Sequence, residues 1–220
     1  MAYSRNIYAH ALKSTLDSLG YVRVRSNVFR AKWSTAQVEH VLITQIYDGA
    51  LLACDFSAVN RSAIDFARSS LIAFEPASLL AWHLSRDSNP YFPRWPLGAI
   101  AGWNFRNSLD MDALSEGQLT ERVRDAVHGH LFPIIRDVSN VCELRDLLLR
   151  TDDAVAWHFG NGAIRAGQII LLNENCDVKI EDIEENLSKF LKEISFGLTG
   201  NSIENARKYV RQTLDAARAL

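Results

Sequence analysis

The chain has 220 residues, 48% of them hydrophobic and 23% charged, with a formal net charge of -2. A chain of this length can bury a core that needs no disulfide or metal staple. Its near-neutral balance supplies no overall field for nucleic acid or an anionic membrane, and no window approaches the uninterrupted apolar run of about eighteen residues that spans a bilayer.

In chain order, Ile7, Ala11, Leu12, Thr15, Leu16 and Leu19 recur at helical spacing and Gly20 supplies a stop, so a helix is expected over 4–19. The N-terminal stretch MAYSRNIYAHALK lacks the apolar run of a secretory leader. Residues 21–33, YVRVRSNVFRAKW, alternate apolar and polar on either side of Ser26-Asn27, which predicts a hairpin. Strict alternation would turn Val22, Val24, Phe29 and Ala31 inward. Tyr21, Arg23, Arg25, Arg30 and Lys32 would then face out, with Arg23 opposite Arg30 across a two-residue turn. VEHVLITQIY and ALLACDFSAV, joined by Asp48-Gly49, read as a second antiparallel pair. Residues 60–86 are ambiguous between helix and strand. Three prolines between Pro90 and Pro96 indicate an irregular crossing, and AIAGWNF reads as a further strand.

The second half reads as mostly helical. Ser115 with Gln118 and Asn140 with Glu143 form capping boxes. Behind them run the stripes Leu119, Val123, Ala126, Val127 and Val141, Leu144, Leu147, Leu148, with Pro133 ending or kinking the first helix. AVAWHF is a candidate strand, and AIRAGQIILLNEN fits helix or strand, with helix preferred. Ile180, Ile183, Leu187, Phe190, Leu191 and Ile194 make another helical stripe. A last helix is capped by Asn201 with Glu204 and buries Ile203, Ala206, Tyr209, Val210, Leu214 and Ala217. The expected fold is a single α+β domain over 1–220: an N-terminal helix and an antiparallel sheet built mainly from the first half, covered by helices from the second half.

Familiar chemistry is absent from the motifs. The histidines show no HExxH and no zinc spacing with cysteine, and Asp110 with Asp112 sits where acids favour the Ser115 helix start. FGNGAIRAG lacks the lysine and spacing of a phosphate loop, and no GxSxG occurs. Cys54, Cys142 and Cys176 are widely spaced and odd in number, and read as reduced thiols of a cytoplasmic protein, with Cys54 buried and inert. No catalytic residue, metal ligand or cofactor is expected.

Two features remain. Tyr91, Phe92, Trp95 and Trp103, with Arg94 and Arg106, form either a loop packed on the core or an exposed contact patch. The hairpin cations Arg23, Arg25, Arg30 and Lys32 belong to a region, residues 1–40, with a net charge of +4, whereas residues 173–193 carry -4. The cations can be neutralised internally by Glu181, Asp182 or Glu185, lie solvated, meet an acidic protein, or meet phosphate. Phosphate wants a broader basic field than this acidic chain offers.

The order of a short helix, then Gly20, Tyr21, Arg23, Phe29 and Arg30, followed by a strand with Gln45, resembles an uncharacterised bacterial domain-of-unknown-function family, the 4304-like group. The later HLFPIIRDVSNVCELRDLLL is similar to that family's proline-centred helix. The resemblance covers about half the chain; it implies an α+β cytoplasmic protein and transfers no catalytic residue.

The leading expectation is a non-enzymatic, immunity-like or adaptor module that meets a protein partner with an acidic surface through Arg23, Arg25, Arg30, Lys32, Arg94 and Trp95. The alternative is an enzyme or small-ligand-binding protein with an unrecognised pocket, using His83, Asp55 or Arg106. Nucleic-acid binding through the basic hairpin comes third.

Overall fold

The computed structural model describes the chain outside residues 1, 48–49, 77–94, 104–106, 151–161, 177–186 and 188–202. The fold is α+β, with an N-terminal helix, an antiparallel sheet from the first half and helices in the second half. The chain forms two compact units, residues 1–58 with 94–139, and residues 59–93 with 140–220.

In the first unit, α1 (Ala2–Ser18) leads into a hairpin of β1 (Tyr21–Arg25) and β2 (Val28–Ala31). Gly20 turns the corner at φ +85, and a Cβ there would lie 3.1 Å from the Trp33 ring, so both backbone angle and space ask for glycine. β3 (Glu39–Tyr47) and β4 (Leu51–Val59) extend the sheet in the order β1-β2-β3-β4. Two short strands share the remaining edge of β4: β5 (Trp95–Pro96) pairs with Asp55–Phe56, and β6 (Leu109–Asp110) with Leu51–Leu52.

Trp95 is fully buried and stacks on Phe56 with ring centroids 4.9 Å apart and planes 9° apart. The loop therefore takes the packed alternative at this residue. The strand expected at AIAGWNF is replaced at its start by a short helical turn at Leu97–Ile100. The reason is a close approach: a Cβ on Gly98 would meet the Asn107 carbonyl oxygen at 2.0 Å, so this backbone is pressed against its neighbour instead of spreading into the sheet. Arg94, Tyr91, Phe92 and Arg106 lie outside the described residues.

The Ser115–Gln118 capping box is formed and starts the helix Glu116–Asp125, which buries Leu119 and Val123. Its continuation widens into a π-helical segment, Ala126–Leu131, before the helical turn Phe132–Ile135. Pro133 explains the widening, since a proline ring crowds the carbonyl of the preceding turn and cannot donate to it. His128 and His130 are both exposed on the widened segment.

The second unit contains four described helices: Arg61–Phe74, Val141–Leu149, Gly162–Asn173 and Ile203–Arg218. The first resolves part of the ambiguous 60–86 region as helix, capped by the Asn60 side chain on the Ala63 amide. The third, Gly162–Asn173, is buried on nearly every side, as expected of a helix with no polar face. Gly167 permits this, because a Cβ there would lie 2.8 Å from Ala67 Cβ and 2.9 Å from Tyr209 Oη. Arg165 is fully buried in the same helix. Its Nε donates to the Leu148 carbonyl at 2.5 Å and its Nη2 donates to the Arg150 carbonyl, so a cation satisfies the end of the Val141–Leu149 helix. The Asn140–Glu143 capping box forms at the other end of that helix.

The three separate thiols expected above are not found. Cys142 and Cys176 form a disulfide with Cα atoms 5.5 Å apart, well inside the range a disulfide needs. The helix starting at Val141 and the turn that follows Asn173 bring together positions 34 residues apart, which sequence spacing alone does not reveal. Cys54 is free and fully buried. Burial pushes its thiol pKa up, with Asp55 adding to the effect. The candidate strand AVAWHF and the acidic residues Glu181, Asp182 and Glu185 lie outside the described residues. Among the described residues no helix is long and apolar enough to cross a membrane.

Candidate functional site

The hairpin keeps its predicted position, and β2 its predicted facing, with Phe29 and Ala31 buried and Arg30 and Lys32 exposed, but Tyr21, Val22 and Val24 of β1 exchange sides. Tyr21 pairs with Ala31, Val22 with Arg30, Arg23 with Phe29, and Arg25 with Val28, with a bulge between Arg23 and Arg25. Paired residues share a face, so Tyr21 and Arg23 lie on the side of Phe29 and Ala31, while Val22 lies with Arg30. Val22 and Val24, expected inside, are 46% and 48% exposed, and Tyr21, expected outside, is fully buried. The aromatic ring explains the exchange: Tyr21 packs edge-on to Trp33 at 5.0 Å, and Trp33 in turn meets Phe132 at 5.2 Å. A tyrosine ring offers more apolar area to bury than a valine, and a one-residue shift of β1 against β2 is enough to exchange Tyr21 and Val22. Arg23 and Arg30 are therefore not opposite each other, and the expected repulsion between them does not arise.

The bulge sorts the cations. Arg25 pairs with Val28, which pairs with Ile43, while Arg30 pairs with Val41, so Arg25 and Arg30 share one face. Lys32 joins them, since its amide donates to the Gly20 carbonyl at 2.9 Å, one step beyond the Tyr21–Ala31 pair. Arg30, its side chain about half exposed, lies 3.7 Å from the largely covered Glu39. Among the described residues Arg25 and Lys32 have no ion-pair partner. On this face Val22 and Arg25 belong to β1, the strand at the edge of the sheet, and Arg30 to its neighbour β2. Short length, positive charge and a bulge all protect an edge strand from indiscriminate pairing.

Arg23 goes to the other face, at the mouth of a cavity of about 580 Å³. Its Nε donates to the Arg25 carbonyl at 3.2 Å and its Nη2 to the Ser26 carbonyl at 2.6 Å, which folds the side chain back over the turn. The cavity is floored by Leu12 from α1, Phe29, Leu52, Met111 and Leu119. Its rim carries Asn27, Thr44, Gln45 and Tyr47; the Tyr47 hydroxyl donates to Gln45 Oε1, which leaves the Gln45 amide nitrogen as a donor. A second cavity, about 500 Å³, lies along the odd-numbered side chains of β4 and includes Asp55 with Pro96, Asn107 and Ser108. Asp55 is thus the one residue of the enzymatic alternative that the described structure places at a cavity; His83 and Arg106 fall outside it.

Sequence reasoning missed a buried polar cluster in the same unit. His40 is fully buried, and its Nε2 lies 2.6 Å from the Val138 carbonyl, so Nε2 carries the proton and Nδ1 is bare. Among the described residues His40 Nδ1, Tyr21 Oη and Trp33 Nε1 have no hydrogen-bond partner. Burial lowers the His40 pKa, and the bond to Val138 works against that shift. The tilted Trp33–His40 contact, 6.4 Å between ring centroids, ties the histidine to the aromatic cluster under the hairpin. His40 stands in the alternating pattern of β3 like any polar outward residue, so no local signal marks it as buried. Among the described residues no group of three or more His, Cys, Asp or Glu is placed to hold a metal ion.

Comparison with family models, curated proteins and solved structures finds no match to this chain.

Proposed function

We propose that the protein is a non-enzymatic interaction module, immunity-like or adaptor-like, which meets an acidic protein surface through the outer face of its N-terminal hairpin. The observation that carries this reading is the face itself: Arg25 and Lys32, without ion-pair partners among the described residues, beside Val22 at 46% exposure on an edge strand. Exposed aliphatic surface ringed by cations suits an acidic partner, because opposite charge steers the encounter and apolar contact holds it. The lining of the larger cavity supports binding over catalysis, since its described residues include no carboxylate, imidazole or thiol to move a proton or attack a substrate. Trp95, buried against Phe56, is withdrawn from the proposed contact set, and Arg23 is turned away from it.

The family resemblance is kept as a proposal of kinship, carried by Gly20, Tyr21, Arg23, Phe29 and Arg30, and it supplies no functional residue. The bacterial cytoplasm is kept as a proposal for the compartment. The Cys142–Cys176 pair removes the thiol argument for it, because disulfides persist mainly in oxidising compartments.

The test is the association rate with the partner recovered from native cells, measured against ionic strength for the wild type and for Arg25→Glu with Lys32→Glu. The wild type should associate faster at low salt, and the double variant should lose that salt dependence while keeping its melting temperature. Salt-independent association of the wild type, or an unchanged rate in the double variant, refutes the proposed face.

A further inference from the structure

The cavity beside the hairpin differs in chemistry from the proposed protein-binding surface, and neither Arg25 nor Lys32 lines it. We propose that it binds a small amphiphile with one carboxylate and an apolar body, the carboxylate at Arg23 and the body on the floor formed by Leu12, Phe29, Leu52 and Leu119.

Four observations on this cavity converge. The volume, about 580 Å³, lies within the range of small-molecule sites. The floor is made of residues at most 8% exposed, so it is a closed apolar base. The rim is biased toward donors: Arg23, the Asn27 and Gln45 amides and the Thr44 hydroxyl stand around it, and no carboxylate is among the described lining residues. Finally, Arg23 is held in place before any ligand arrives. Two of its five N–H groups are spent on the Arg25 and Ser26 carbonyls, which leaves the Nη1 pair and one Nη2 hydrogen available among the described residues. A guanidinium fixed by its own turn gives up less freedom on binding than a loose one.

A single cation selects the charge of the ligand. One arginine balances one carboxylate, and a phosphate monoester would bring a second charge that this rim does not meet. The apolar floor selects the body, since a short acid such as acetate would leave it uncovered. The linear saturated acid decanoate is therefore a suitable probe, with decanol as its uncharged counterpart. The inference is independent of the protein-partner reading, because Arg25 and Lys32 are not among the residues that line the cavity.

The experiment is calorimetric titration of the full chain with decanoate and with decanol, below their aggregation concentrations, alongside amide chemical-shift mapping. Decanoate should bind, with shifts centred on Arg23, Phe29, Thr44 and Leu119, and decanol should bind about tenfold more weakly or worse, as expected for loss of a charged hydrogen bond. Arg23→Gln, which changes an exposed side chain, should erase the preference for decanoate without lowering the melting temperature. Arg25→Glu with Lys32→Glu should leave shifts centred on the cavity in place. Equal binding of acid and alcohol, a preference that survives Arg23→Gln, shifts that map elsewhere, or no binding by either probe would each overturn the proposal. A peptide ending in a free apolar carboxyl terminus that binds while decanoate does not would also overturn it, in favour of a protein terminus as the occupant.

Discussion

Arg23 and Arg25 are two residues apart on one strand, yet they end on opposite faces of the hairpin. One extra residue in the ladder does this, and it gives each arginine a different neighbourhood: a cavity rim for Arg23 and an open edge for Arg25. His40 shows the same dependence on position. Its buried imidazole is held neutral, donating through Nε2 to Val138, and burial lowers its pKa below the ordinary value. The sign of the pH effect follows. As pH falls, the unfolded chain takes up the proton first, so stability should be complete above about pH 6.5, the ordinary imidazole value, and decline below it until the folded imidazole also protonates. Melting temperature measured from about pH 7 down to about pH 5 should therefore fall in the wild type, and less steeply in His40→Gln. Equal slopes in the two proteins would remove His40 from the account.

At the scale of elements, close packing of helices is the decisive feature of the second unit. Gly167→Ala would place a methyl group 2.8 Å from Ala67 Cβ and 2.9 Å from Tyr209 Oη. The helix gains about 1 kcal/mol from alanine, but overpacking costs about 1–3 kcal/mol, so net destabilisation is expected in a denaturant titration. Gly117→Ala in the exposed first turn of Glu116–Asp125 meets nothing within 4 Å and should stabilise by about 0.5–1 kcal/mol. The same substitution thus carries opposite signs, and a stabilising Gly167→Ala would contradict the packing described here. What sequence reading could reach at this scale was whatever is local. The Ser115 and Asn140 capping boxes, the Gly20 stop and, in the last helix, buried Ala206, Tyr209, Val210, Leu214 and Ala217 depend on residues three or four apart and appear as expected, while the Asn201 cap lies outside the described residues. The facing of β2 followed, with Phe29 and Ala31 buried, but that of β1 did not, because Tyr21 competes better than Val22 for the core and a bulge breaks the alternation. The Gly162–Asn173 helix was ambiguous for a physical reason as well: a helix buried all round has no polar face to reveal its period.

At the scale of the whole molecule, the cysteines are the clearest non-local feature. Unfolded, unreduced protein should show one titratable thiol, Cys54, and three after reduction. Three thiols without reductant would mean that Cys142 and Cys176 are unpaired, and would restore the reduced-cytoplasm reading. Closing a loop with a sequence separation of 34, the disulfide stabilises the fold by about 3–4 kcal/mol on chain-entropy grounds, so reduction should lower the melting temperature clearly. Composition and a net charge of -2 gave no hint of a binding face, because the cations matter through their placement on one hairpin and not through their number. The central claim is that this hairpin has two working faces, separated by the bulge between Arg23 and Arg25. The most direct measurement is partner affinity for Arg23→Glu compared with Arg25→Glu combined with Lys32→Glu. The account predicts a change of about twofold or less for Arg23→Glu, and a loss of about tenfold or more for the double variant at low salt. Equal losses in the two proteins would contradict it.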